Sequence, residues 1–107
     1  MTWTRAAALD DLPLGGARSV VVEGENLLLC RVDAAQICAL VDRCSHDGAA
    51  FGSRDLRGFE LDCPRHGARF DVRDGSVLRA PATAPLESVA VRVADDNHVE
   101  VELESLS

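Results

Sequence analysis

Cys44-Ser-His46 opens, and Cys63-Pro-Arg-His66 closes, the stretch of sequence that decides the fold, with sixteen residues between the two pairs. Each pair holds one cysteine and one histidine, and together they use two of the four cysteines and two of the three histidines in the chain. Thiolate and imidazole are both common metal ligands. One such pair would most often be incidental, but two of them predict a metal site.

The make-up of each pair indicates the kind of metal site. A structural zinc site usually groups cysteine with cysteine and histidine with histidine. Here each pair mixes a soft thiolate with a harder imidazole, which suits two metal atoms with different ligand sets. In a Rieske centre, one iron of a [2Fe-2S] cluster takes two cysteines and the other takes two histidines. A zinc-binding structural module stays open as an alternative at this point.

The neighbouring residues resemble those of the Rieske [2Fe-2S] family. The run from Cys63 to Asp71 is similar to the family's CPxHGxxFD segment, Asp74-Gly75 to its turn, and Pro81 with Pro85-Leu86 to its proline loop. The opening residues, 3–13, are similar to the start of small Rieske ferredoxins. This resemblance covers essentially the whole chain.

The resemblance implies one [2Fe-2S] cluster held by four side chains. Cys44 and Cys63 would bind one iron, and His46 and His66 would bind the other. The histidines would lie nearest to solvent and form the exit route for an electron. All coordination positions on both irons would then be filled, so neither iron could act on a substrate as a Lewis acid.

The order of apolar runs and turns predicts an all-β fold, a Rieske-like antiparallel sandwich or barrel base with a small cluster-binding lobe inserted into it. We expect a single domain, with the base formed by residues 1–42 and 84–107 and the lobe by residues 43–83. Short apolar, β-branched runs between turn residues predict the strands. The predicted strands are residues 3–6, 18–22, 27–32, 37–41, 59–61, 68–72, 77–78, 88–93 and 99–103.

The remaining cysteines and the remaining histidine fall outside the motif. Cys30 and Cys38 lie in apolar, strand-like segments, and we expect buried free thiols, with a cross-strand disulfide as the alternative. His98 lies beside the last predicted turn, where we expect an exposed side chain.

Residues around the second pair bear on the reduction potential. By the resemblance, high-potential relatives place a Ser hydroxyl after the His-Gly pair and a Tyr hydroxyl two residues later, and join the two loops by a disulfide. Here Ala68 and Phe70 occupy the hydroxyl positions, and neither loop holds a second cysteine. We therefore predict a low potential, roughly −150 to −50 mV. Arg43, Arg65 and Arg69 flank the ligands and should raise it slightly where solvent does not screen them.

The net charge of −7 is unevenly distributed. Residues 43–79 hold seven Arg and six acidic residues, a balance of +1, whereas the rest of the chain holds four Arg and twelve acidic residues, a balance of −8. An acidic body argues against nucleic acid as a partner; it suits steering toward a basic protein surface, or solubility alone. No run resembles a signal peptide or a membrane-spanning helix, so we expect a cytoplasmic protein without membrane contact.

A redox centre without a visible substrate pocket predicts a one-electron carrier rather than an enzyme, and a monomer by default. The resemblance implies a flavin-dependent reductase that uses NAD(P)H as the electron donor. It also implies a terminal non-haem iron (Rieske) oxygenase of aromatic hydrocarbon catabolism as the acceptor. A stand-alone oxygenase is not expected at this length. Two alternatives stay open: a small redox subunit of a larger enzyme, such as an assimilatory nitrite reductase or an oxidase, and a redox sensor.

Overall fold

Ten β-strands form most of the regular structure. The computed structural model describes residues 2–34, 36–44, 50–63, 67–80 and 84–104. Within those ranges a single 3-10 turn, Leu9–Asp11, is the only helical element. The prediction of an all-β fold is confirmed. The strands are β1 (Thr4–Ala8), β2 (Gly16–Val22), β3 (Glu25–Arg31), β4 (Ile37–Val41), β5 (Arg54–Asp55), β6 (Glu60–Asp62), β7 (Arg69–Asp71), β8 (Val77–Arg79), β9 (Ser88–Val93) and β10 (His98–Glu102).

Seven strands form one antiparallel sheet in the order β1-β10-β9-β4-β3-β2-β5. Strand β1 also packs against β2, although the two are not neighbours in the sheet, so the sheet curls around its own interior. That interior holds only aliphatic buried side chains, and we call it the base core. Its buried residues are Leu12, Val22, Leu27, Leu29, Ala39, Val89, Val99 and Val101.

Strands β6, β7 and β8 form a second antiparallel sheet, which lies inside the range predicted for the lobe. Gly75 joins this sheet to the segment that returns to the base, because its carbonyl accepts a hydrogen bond from the Leu86 N–H at 2.8 Å. The φ angle of Gly75 is +82°, and a Cβ there would collide with the carbonyl of Leu86. Glycine is therefore the residue that fits this contact.

Strand β3 is buried on both faces and separates two cores. Leu27 and Leu29 point into the base core, whereas Leu28 and Cys30 point into a second one. Burial on both faces explains why β3 reads as a continuous apolar run rather than an alternating one. We call the second core the cluster-side core. Its buried residues are Ala17, Leu28, Cys30, Cys38, Leu40, Cys44, Phe51, Leu61, Cys63, Ala68, Phe70, Val72 and Leu86.

Every predicted strand is present, with bounds that differ from the prediction by at most two residues, and two differences bear on the architecture. The β2–β3 loop contains only Glu23 and Gly24, both with positive φ (50° and 81°), as in a type I′ hairpin, so β3 begins two residues before its predicted start. Strand β5 was not predicted. It pairs with Gly16 and Ala17 of β2, so this part of the predicted lobe range belongs to the large sheet.

Two further expectations concern the surface. His98 is the first residue of β10, directly after the last turn, and its side chain is 36% exposed, with Nδ1 3.4 Å from the Asp96 carboxylate. The prediction of an exposed histidine is wrong, because His98 pairs with Ala8 of β1 and its side chain is half-buried. In the part of the chain that the structure describes, no helix is long and apolar enough to cross a membrane.

Candidate metal centre

Two thiols meet at the predicted centre. Cys44 follows the end of β4, and Cys63 directly follows β6, so the two sheets deliver one cysteine each. Their Sγ atoms lie 3.5 Å apart, well beyond a disulfide bond of about 2.05 Å, so the two residues form no disulfide with each other. The two residues are 1% and 3% exposed. Two thiols, a soft type of donor, are thus brought together in a buried site.

The segment that begins at Cys63 is closed by its own backbone. The Cys63 N–H donates to the Ala68 carbonyl at 2.7 Å, and the Gly67 N–H donates to the Cys63 carbonyl at 3.2 Å. Gly67 has a φ of 75°, a conformation that side-chain-bearing residues rarely adopt. These bonds fix the two ends of residues 63–68 against each other.

A buried carboxylate frames the segment that contains Cys44. Asp42 is 5% exposed. One of its oxygens accepts hydrogen bonds from the N–H groups of Phe51 (2.7 Å) and Gly52 (3.4 Å), and the other accepts from the Ser19 hydroxyl at 3.0 Å. A single side chain therefore ties the two ends of residues 42–52 to each other and to β2.

Sequence reasoning missed Asp42. Its signal was an acidic residue at the end of an apolar strand, two positions before a ligand pair. An ionisable side chain is rarely buried unless its oxygens are satisfied. An aspartate at position 42 could therefore have indicated a side chain that holds the two ends of residues 42–52 together by hydrogen bonds.

The positions that lack hydroxyl groups are fully buried. Ala68 and Phe70 are both 0% exposed. The Phe70 ring packs edge-on against Phe51, with 5.9 Å between the ring centroids. Both residues lie in the same core as the two thiols. Ala68 contributes a methyl group there and Phe70 a ring, and neither has a hydroxyl group. The low potential argued from these residues stays a prediction.

Arg69, one of the three arginines expected to raise the potential, is paired with carboxylates. Arg69 Nε lies 2.9 Å from Asp62 and 3.3 Å from Glu60, and its hydrogen bond to Asp62 raises the pKa of the Arg69 guanidinium. The Asp62 carboxylate also forms an ion pair with Arg57, whose Nε lies 3.0 Å from it. The charge of Arg69 is balanced by these partners, and the small increase in potential expected from the arginines stays a prediction.

The two cysteines outside the motif face each other across β3 and β4. Cys30 is directly opposite Cys38, and both are buried free thiols, which confirms the prediction. Burial raises the pKa of Cys30 to about 12, and it raises the pKa of Cys38 as well. Both therefore stay protonated at neutral pH, a state in which thiols are unreactive.

The two predicted histidine ligands, His46 and His66, lie outside the described residues. Within the described ranges, no group of three or more His, Cys, Asp or Glu side chains is arranged to hold a metal ion. The structure thus brings Cys44 and Cys63 together, and the histidine half of the site stays a prediction.

The donors that are placed fit an iron–sulfur cluster. Two thiolates on one tetrahedral metal, with bonds of about 2.3 Å, lie about 3.7 Å apart. The observed separation between Cys44 and Cys63 is 3.5 Å. Thiolate donors select soft metals, zinc and iron–sulfur clusters. Fold and site together define the class: a small all-β protein whose two sheets meet at a pair of buried thiols spaced for one metal atom.

Comparison with known proteins identifies the family. Residues 2–90 match the Rieske [2Fe-2S] domain, and the chain belongs to this family. Its cofactor is accordingly one Rieske-type [2Fe-2S] cluster. The ferredoxin component of the naphthalene 1,2-dioxygenase system of Pseudomonas putida is 37% identical over 91 residues, which cover 85% of this chain and 86% of the relative.

Two solved structures have the same fold. The ferredoxin of carbazole 1,9a-dioxygenase from Nocardioides aromaticivorans IC177 is similar with a TM-score of 0.83 and 31% identity, over 94% of this chain and 97% of that one. A chain of the complex of reduced oxygenase and oxidised ferredoxin in carbazole 1,9a-dioxygenase has a TM-score of 0.83 and 33% identity, over 92% and 91% of the two chains. The relatives are electron-transfer components, and this chain is an electron-transfer protein rather than a catalytic subunit.

Proposed function

We propose that this protein carries single electrons from an NAD(P)H-dependent flavin reductase to a non-haem iron (Rieske) oxygenase. The observation that carries the proposal is the meeting of Cys44 and Cys63 at 3.5 Å in a fold shared, over most of both chains, with ferredoxin components. We infer that these two cysteines bind one iron and that His46 and His66 bind the other. When bound, the cluster accepts and releases one electron.

Burial of the thiols determines which side of the centre exchanges electrons with a partner. Cys44 and Cys63 lie in a core with Phe51, Phe70 and Leu86, which closes their side of the centre to water and to other proteins. A docked partner must therefore approach from the opposite side, where the proposal places the histidine ligands. The protein body orients the centre so that electrons enter and leave on that side.

The partners are proteins that dock transiently. The naphthalene relative is part of a dioxygenase system, and a structural relative comes from a complex with an oxygenase, which supports an oxygenase as the acceptor here. We infer a role in aromatic hydrocarbon catabolism. None of the four cysteines forms a disulfide, which fits a reducing compartment, the cytoplasm. We expect a monomer, which sedimentation of the holoprotein would check.

The first test is the midpoint potential of the purified holoprotein, measured by voltammetry across neutral pH. We expect a reversible one-electron wave at roughly −150 to −50 mV that does not change with pH near neutrality. The same protein should be reduced by NADH through a flavin reductase of an oxygenase system and should then reduce the oxygenase. A wave well above zero that falls with pH would contradict this role. Stable co-purification with a large catalytic subunit would favour the subunit alternative.

The second test addresses the ligands. A His66→Cys variant should keep a cluster but lower its potential, because a thiolate adds negative charge where an imidazole is neutral. His98→Cys is the matched control, since His98 lies in β10 of the base and has no predicted ligand role. An unchanged spectrum and potential in the His66 variant would show that the assignment is wrong.

A further inference from the structure

One arginine bridges the backbones of the two segments that carry the thiols. The first segment is residues 42–52, with Cys44, and the second is residues 62–68, with Cys63. Arg54 lies in β5, between the two segments in sequence. Its Nε donates to the carbonyl of Phe51 at 3.2 Å, and its Nη1 donates to the carbonyl of Asp62 at 3.0 Å. Phe51 belongs to the end of the first segment, and Asp62 directly precedes Cys63. One guanidinium group therefore spans both segments.

The bridge continues to the other end of the first segment. The N–H of Phe51 donates to Asp42, and its carbonyl accepts from Arg54, so this residue is held from both sides. Hydrogen bonds thus link Asp42, two residues before Cys44, through Phe51 and Arg54 to Asp62, one residue before Cys63. This chain of contacts connects the backbones that carry the two thiols.

The chemistry of arginine suits this position. A guanidinium group is planar and carries several N–H donors in a rigid fork, so it can bind two carbonyl groups in fixed directions. Hydrogen bonds from a charged donor are stronger than neutral ones, and Arg54 is half-buried, which limits competition from water. Its backbone is paired with Ala17 of β2, so the large sheet anchors the fork.

The chain has no covalent substitute for this contact. Residues 42–52 contain one cysteine, and residues 62–68 contain one cysteine, each of which is a proposed iron ligand. A disulfide therefore cannot join the two segments while both thiols bind metal. Their relative position depends on hydrogen bonds and packing.

We propose that Arg54 is a positioning residue that holds the two thiol-bearing segments at cluster-binding distance. The proposal rests on the cluster site formed by Cys44 and Cys63. Without the fork, the Phe51 and Asp62 carbonyls lose a shared donor, and the two segments can separate. The cluster is then released more readily, although the sheets of the protein stay folded.

Arg54→Ala and Arg57→Ala form a matched pair for the test. Arg57 contacts the side chain of the same Asp62 at 3.0 Å, but its own side chain is 69% exposed. Both variants remove one positive charge near Asp62, but only the first removes the contact between segments. In the holoproteins, loss of visible absorption in the presence of an iron chelator should be about 10- to 100-fold faster for Arg54→Ala than for wild type. Arg57→Ala should lie within about twofold of wild type.

A second readout does not depend on the cluster. In the metal-free proteins, hydrogen exchange of the Phe51 amide should be faster in Arg54→Ala than in Arg57→Ala, with similar far-UV circular dichroism. If the alanine variant does not fold, Arg54→Lys serves in its place, because it keeps the charge but lacks the fork. Equal chelator rates and equal exchange in the Arg54 and Arg57 variants would overturn the proposal. Failure of the wild-type protein to show a Rieske spectrum would instead contradict the proposed function and leave the exchange test decisive for Arg54.

Discussion

The two cores of this protein are built from different chemistry. The base core contains only aliphatic side chains, enclosed by the curled sheet. The cluster-side core contains all four cysteines and two phenylalanines. At its edge, Asp42 accepts a hydrogen bond from the Phe51 N–H, and Arg54 donates one to the Asp62 carbonyl. Apolar burial is non-directional, whereas hydrogen bonds fix positions. Apolar burial therefore stabilises both cores, and the polar frame around the cluster-side core additionally fixes its geometry.

The largest effect that tests this comparison is expected in the base core. Leu29 is fully buried there, so Leu29→Ala removes apolar contacts and leaves a cavity. The free energy of unfolding should fall by about 2 to 5 kcal/mol, measured by urea denaturation with far-UV circular dichroism. The visible spectrum of the folded holoprotein should not change, because Leu29 faces away from the thiols.

Val21→Ala is the control for this variant. Val21 lies in the neighbouring strand β2 and is 68% exposed. Its truncation should cost less than about 0.5 kcal/mol. A changed cluster spectrum in Leu29→Ala, with its control unchanged, would show that the two cores do not act separately.

A smaller effect is expected from a hydroxyl group in the cluster-side core. Ala68→Ser introduces one at a fully buried position whose carbonyl already binds the Cys63 N–H. A hydrogen bond to a cluster sulfur would stabilise the more negative reduced state and raise the midpoint potential. A difference of about 1 kcal/mol corresponds to an increase on the order of 40 mV for one electron.

Ala39→Ser makes the same chemical change in the base core, where the alanine is 2% exposed. This variant should lose stability, because its buried hydroxyl replaces apolar surface, but its potential should equal that of wild type. Voltammetry of both holoproteins compares their midpoint potentials with that of wild type. An equal shift in both variants would mean that the potential responds to general loosening rather than to a bond at sulfur.

The same contrast explains what the sequence could predict. The turn at Asp74-Gly75 was predicted because its residues act locally and have a recognisable signature. Arg54 was not predicted, since β5 is only two residues long and its partners are backbone carbonyls, which any residue can supply. The early start of β3 also depends on tertiary structure, because the Asn26 carbonyl accepts the N–H of Asp42. Turns that depend on local residues could be predicted from the sequence, whereas contacts with distant backbone groups could not.

The smallest effect concerns an ion pair beside the cluster-side core. Arg73 donates to Asp71 at 2.7 Å and 3.0 Å, and its guanidinium lies 3.8 Å from the centre of the Phe59 ring. The hydrogen bond from Arg73 holds the pKa of Asp71 below its ordinary value. A carboxyl group with a lowered pKa in the folded state stabilises that state above its unfolded pKa of about 4. This contribution is lost as the pH falls through the lowered pKa.

Arg73→Gln should therefore weaken the acid dependence of stability that Asp71 causes, and it should lower stability only slightly at neutral pH, because the arginine side chain is 47% exposed and its ion pair is partly screened by water. Urea denaturation of the metal-free protein between about pH 3 and pH 7 measures both effects. Arg92→Gln is the control, since it breaks an ion pair with Glu100, 2.8 Å long, in the base sheet. If both variants have the same pH profile, the Asp71–Arg73 pair does not distinguish the lobe from the base. A flatter profile in Arg73→Gln alone would locate part of the acid sensitivity in the sheet that delivers Cys63, the region where directional contacts add to apolar burial.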